Sequence, residues 1–276
     1  MRTMRQVAVG IALAVSVSGP AWAAPGGRRS KSGSVTGPRG GTSAFQKSTT
    51  VGNGAVSKQG SWATPAGKTY SGQSTTTRSD GALHTTGSVT GPSGQTLATK
   101  EATTSRAADG SIQRQATYTT PSGKSATVDS TLTKTGSGIE RTTTATTAGG
   151  NTITSQSTAS FSDGALHTTG TVTGPSGQTL TKQGTVSRTA DGLQRETTYT
   201  TGEGKTATVS ETATYSDGVA QRSGTLTGSS GQTLVTGQST ISKTADGLQQ
   251  ETSYTTPSGK TAAVESTTTT TNSQGQ

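Results

Sequence analysis

The stretch SDGALHTTGSVTGPSGQTL, Ser79–Leu97, decides the fold. It opens on Asp-Gly, the preferred pair for a two-residue hairpin turn in which both residues need positive φ. About ten residues follow, and then Pro-Ser-Gly. That triplet suits a three-residue loop, with Pro fixing φ at the first turn position and Gly taking the left-handed one. The stretch returns as SDGALHTTGTVTGPSGQTL at Ser162–Leu180, changed only where Thr171 replaces Ser88. In the second copy Leu166, Thr168, Gly170 and Val172 alternate with Ala165, His167, Thr169, Thr171 and Thr173. Period two is the signature of a strand. The unit is a strand, a turn and the start of the next strand.

The same ruler runs along the chain. Final glycines of one set of turns, from Gly40 in TGPRG to Gly259 in TPSG, recur at 27 residues in six of eight intervals. A second set, mostly Asp-Gly, lies halfway between them, from Gly54 to Gly247. Seventeen turns thus separate eighteen segments of roughly ten residues. TATVSETATY (Thr206–Tyr215) places Ala207, Val209, Glu211, Ala213 and Tyr215 on one side and only Thr and Ser on the other. Thr, Val and Tyr favour strands, and Thr alone supplies 63 residues.

Leu, Ile, Val and Phe total 32 of 276 residues, below the ~20% at which a packed core becomes doubtful. One buried aliphatic side chain contributes about 1.5–3 kcal/mol, and ordering a residue costs about 1.5 kcal/mol. Two anchors per strand barely offset that cost, so stability has to come from neighbouring strands, as in other repeat proteins. These features predict an all-β fold: an elongated antiparallel β-hairpin repeat array, a single curled or stacked meander, with no helix apart from a signal peptide. The expected organisation is a signal peptide at 1–23, a basic flexible segment at 24–33, the repeat domain at 34–266 and a polar disordered tail at 267–276.

Arg2 and Arg5, the apolar run Val7–Ser18 and Ala21-Trp22-Ala23 make an export signal cleaved after Ala23. The run is too short to span a bilayer as a helix. The expected location is therefore periplasmic, cell-surface or extracellular, outside any membrane. The chain has no cysteine, which excludes thiol catalysis, disulfides and thiolate metal sites.

Net charge is +9. Eight basic residues and no acidic one lie between Ala24 and Ser79: Arg28, Arg29, Lys31, Arg39, Lys47, Lys58, Lys68 and Arg78. They form the candidate polyanion-binding set, for acidic polysaccharide, lipopolysaccharide or extracellular DNA. From Asp80 onward 13 basic residues meet 14 acidic ones.

Other motifs lead away from chemistry. Gly-Lys-Thr or Gly-Lys-Ser occurs in four turns, but the residues five before each Gly are Trp62, Tyr118, Tyr199 and Tyr254, where a P-loop needs Gly. His84 and His167 sit at equivalent places on a Thr-rich strand face, with no nucleophile or carboxylate at a catalytic spacing. Asp80, Asp109, Asp163, Asp191, Asp217 and Asp246 should line one edge, and Lys68, Lys124, Lys205 and Lys260 the other. Turn chemistry accounts for each of them. No catalytic residue, metal site or cofactor site emerges.

TYSDG (Thr214–Gly218), alternating with later GQT turns, resembles the YD repeats of RHS-type bacterial surface and toxin-shell proteins, which build large sheets by strand stacking. Here Ser216 separates Tyr215 from Asp217, and no function is carried over. The sequence reads as an exported, non-enzymatic repeat protein with a structural or surface-binding role, adhesin-like, in the envelope or matrix. Alternatives are a disordered Thr/Ser-rich stalk, a fibre that self-associates through sheet edges, and an ice-binding protein using Thr rows.

Overall fold

The computed structural model describes residues 27–272; the signal read at 1–23 lies outside the described residues. The first strands are β1 (Gly27–Thr36), β2 (Thr42–Gly52), β3 (Ala55–Ala63), β4 (Thr69–Ser79), β5 (Ala82–Thr90) and β6 (Thr96–Arg106). Next come β7 (Ile112–Thr119), β8 (Ser125–Lys134), β9 (Gly138–Thr146), β10 (Thr152–Ser162), β11 (Ala165–Thr173) and β12 (Thr179–Arg188). The last are β13 (Gly192–Thr201), β14 (Thr206–Ser216), β15 (Val219–Gly228), β16 (Thr233–Thr244), β17 (Gly247–Thr255) and β18 (Thr261–Asn272).

The turns form as their chemistry dictates. Asn53, Asp80, Asp163 and Asp217 take φ of 50–52°, each followed by a glycine at 71–78°. These are two-residue turns with both central φ positive. On the opposite rim the Thr120 N–H donates to Lys124 O and the Gly123 N–H to Thr120 O, both at 2.9 Å. That closes a three-residue loop with Gly123 at φ 79°.

Each strand pairs antiparallel with its neighbour in sequence, and β1 also pairs with β18. That last ladder runs from Gly27 opposite Asn272 to Thr36 opposite Ala263. The sheet is therefore a closed eighteen-stranded barrel. The expectation of an open, elongated meander is overturned by this single ladder. The physical reason is twist: an open sheet of so many strands curls, and closure satisfies the N–H and C=O groups that two free edges would leave unpaired. The same pairing draws in the ends of the chain. β1 starts at Gly27, inside the segment expected to be flexible, and β18 continues to Asn272, past the expected end at 266.

At about 4.8 Å between strands and a tilt near 40°, eighteen strands enclose a barrel roughly 35 Å across and about 25 Å tall. Among the described residues no packed core fills it. The buried hydrophobic residues among those described are four alanines, Ala82, Ala102, Ala116 and Ala165, while Leu193 is 50% exposed. The wall is a single layer held by its ladders.

Candidate functional site: the barrel lumen

Residues opposite one another in an antiparallel ladder share a face. The register therefore sorts every strand residue into one of two surfaces. One line runs Lys31–Lys47–Gly60–Gly72–Val89 across β1 to β5. Followed round the barrel, that face carries all eight described aromatic residues, among them Phe45, Trp62, Tyr118 and Tyr215. It also holds nearly every Val, Ile and Leu; Leu97 and Leu234 fall at register shifts, and Val219 lies on the other face. The opposite face is Thr, Ser and Gln, with His84 and His167.

Charge divides along the same line. Among the described strand residues, fifteen lysines and arginines project from the aromatic face against one carboxylate, Glu211. Arg28 is the one strand cation on the hydroxyl face, which carries Glu101, Asp129, Glu140, Glu196, Glu251 and Glu265.

Curvature shows which face is inside. Burial alone does not separate the faces, since Thr85, Thr168 and Thr252 on the aromatic face and Thr117, Thr127 and Thr198 on the hydroxyl face are all half-buried; the reach of side chains across strands does. The register line Lys58–Ser74–Gly87–Lys100 spans three interstrand gaps, roughly 14 Å of wall. Lys58 and Lys100 nevertheless lie within electrostatic reach of each other. Side chains on a convex wall splay apart, and on a concave wall they converge. On this convergence we assign the basic, aromatic face to the lumen.

Local contacts order this lining. Phe45 and Trp62 stack with ring centres 6.3 Å apart and planes 8° apart. The Lys100 ammonium lies 5.8 Å from the centre of the Tyr118 ring, a cation–π contact. Lys31 Nζ donates to Gln250 Oε1 across β18 at 3.4 Å. Glu211 accepts from Arg222 at 3.1 Å and from Arg195 at 3.4 Å. A depression of about 660 Å³ lies over β1 to β4, lined chiefly by hydroxyl-face residues such as Ser30, Ser48, Gln59 and Gln73, with Arg28, Lys31 and Lys47 also touching it. Among the described residues no group of three or more His, Cys, Asp or Glu is placed to hold a metal ion, and no helix is long and apolar enough to cross a membrane.

No family model matches the chain, and no curated protein matches it. Among solved structures it is similar to a triple mutant of the Rh. blastica porin, with TM-score 0.49 and 10% identity, covering 89% of this chain and 99% of that one. A second structure, titled for the asymmetric conductivity of engineered proteins, has TM-score 0.45 and 11% identity over the same shares. Neither likeness bears weight at that score; the barrel rests on its own pairing.

The eight candidate residues read from the sequence separate. Arg29, Lys31, Lys47, Lys58 and Arg78 face the lumen, Arg28 faces outward, and Arg39 and Lys68 sit in rim turns. Sequence reading missed Lys100, Arg114, Arg141, Lys182, Arg195 and Arg222, which share the lumen. The signal was available: each falls at the same strand parity as the nearby Leu, Val or Tyr.

Closure also overturns the functional expectation of an adhesin-like or structural repeat protein. The sheet is not an open display surface. Its first and last strands pair with each other, so fibre growth through free edges has no template. The Thr rows wrap a curved wall, not the flat face that ice binding needs. Eighteen paired strands replace the stalk.

Proposed function

We propose that this chain is a non-enzymatic, pore-type β-barrel of the bacterial outer envelope. Its wall surrounds a water-filled bore through which small solutes pass. The observation that carries this reading is the β1–β18 ladder, which turns a repeat sheet into an open-ended tube. Strands of 8–12 residues match the ~9–11 tilted residues that cross a bilayer. An even number of antiparallel strands fits outer-membrane barrels, while the inward aromatic face departs from their usual apolar-out, polar-in alternation.

Threonine makes the outer wall less polar than its composition suggests. Thr36 and Thr42 pair their hydroxyls at 3.1 Å, Thr158 and Thr169 at 2.7 Å, and Thr198 and Thr208 at 3.1 Å. A hydroxyl satisfied by its neighbour leaves the γ-methyl to meet the surroundings. This reading replaces the expectation of a chain outside any membrane, which weighed only runs long enough for a helix. The test is a planar bilayer. The chain from Ala24 to Gln276, refolded in detergent, should give stepwise conductance. Folded protein that leaves the bilayer silent overturns the proposal.

A further inference from the structure

Three features of the molecule compete for a further role: the groove over β1 to β4, the acidic rim of Asp turns, and the charged bore. The groove is lined by small and amide residues together with Arg28, Lys31 and Lys47 and has no shaped floor of its own, and turn geometry accounts for the aspartates. The bore is different, because its charge is segregated by face and not by position along the chain.

Resting on the pore reading above, we infer that the bore selects anions, through a belt of lumen cations centred on Lys31, Lys47, Lys58 and Lys100. Three observations carry this. Fifteen cations against Glu211 alone give the lumen a single sign. Glu211 is already engaged by Arg195 and Arg222, so it neutralises nothing in the belt. Between Lys58 and Lys100 stand only Ser74 and Gly87, so no bulky side chain separates the two cations, and Lys100 rests against the Tyr118 ring.

The rims extend the asymmetry. Lys68, Lys124 and Lys205 stand in turns of the rim opposite the termini, and Asp80, Asp163 and Asp217 in turns of the other. The expected ligands are small hydrated anions such as chloride and inorganic phosphate, held by charge and not by a shaped pocket. A cleft lined by one sign of charge concentrates counter-ions by about tenfold or more. The field decays over ~10 Å at 0.1 M salt and ~3 Å at 1 M. In a bore this wide it reaches the axis only at low ionic strength.

The experiment is the reversal potential of the reconstituted full chain in a potassium chloride gradient around 0.1 M. Chloride should permeate roughly tenfold better than potassium, and the preference should fade towards 1 M. Lys58→Gln with Lys100→Gln should lower the chloride preference by about threefold or more, while circular dichroism shows unchanged strand content. A pore that conducts without ion preference, or prefers potassium, overturns the inference and leaves the pore standing. A folded chain with no conductance overturns both.

Discussion

Val35 of β1 lies directly opposite Val264 of β18, at the seam where the chain's first described strand meets its last. Two places along β1, Gly33 stands between Phe45 on one neighbour and Ser266 on the other. A Cβ at Gly33 would collide with the Glu265 carbonyl oxygen and come within 2.8 Å of Phe45 Cζ and Ser266 Cα. The backbone would have to move, because two of those three atoms belong to it. Gly33→Val should therefore cost about 1–3 kcal/mol, in the range of overpacked sites, and should loosen the seam first. Hydrogen exchange should show β1 and β18 losing protection while β5 to β14 keep theirs. Uniform loss round the barrel would contradict this.

Among the described residues Glu211 is the lumen's single carboxylate, shared by Arg195 and Arg222. Its side chain is 28% exposed and those of the arginines 41% and 47%, so water screens the network. Glu211→Gln should change stability by less than about 1 kcal/mol. It should also raise the chloride preference of the pore, since two guanidinium groups lose their counter-charge. A fall in chloride preference would contradict the lumen assignment.

Asp109 tests the turn chemistry. Its Oδ1 accepts from Ser111 Oγ at 2.7 Å and from the Ser111 N–H at 2.9 Å. These hydrogen bonds, the side-chain one first, hold the carboxyl below its ordinary value of 3.8. A depressed carboxyl stabilises the fold above its unfolded pKa, and the contribution is lost as pH falls through the folded value. Ser111→Ala should bring the Asp109 titration back towards 3.8, read by carboxyl carbon NMR. An unchanged titration would remove the Ser111 hydroxyl as the cause.

The outer wall carries six carboxylates where a bilayer would meet it, Glu196 and Glu251 in mid-strand. Charge on a lipid-facing wall opposes insertion most strongly near the midplane. Glu196→Gln with Glu251→Gln should raise the fraction of protein that inserts into liposomes at pH 7. Reduced insertion would mean that the hydroxyl face does not meet lipid.

Much of the wall was legible in the sequence. Asp-Gly and Pro-Ser-Gly placed the turns, and period-two alternation placed Tyr215, Val209 and Ala207 together on one face. Closure was not legible. The Val35–Val264 contact joins the two ends of the described chain, and neither residue carries a local sign of its partner. It follows from the twist summed over eighteen strands, which no single repeat encodes. The candidate site was half legible for a different reason. Counting charge along the chain singled out Lys31, Lys47 and Lys58, but counting it by strand parity adds Lys100, Arg195 and Arg222 from the balanced remainder of the sequence.

The central claim is closure, and the chain's lack of cysteine makes it directly measurable. Val35→Cys with Val264→Cys places two thiols opposite each other on adjacent strands, within the reach of a disulfide. On mild oxidation the account predicts an intramolecular bond: a faster-migrating monomer on a non-reducing gel, at a yield independent of protein concentration. An open sheet would hold these positions tens of ångströms apart. Free thiols, or disulfide-linked dimers that increase with concentration, would contradict the barrel.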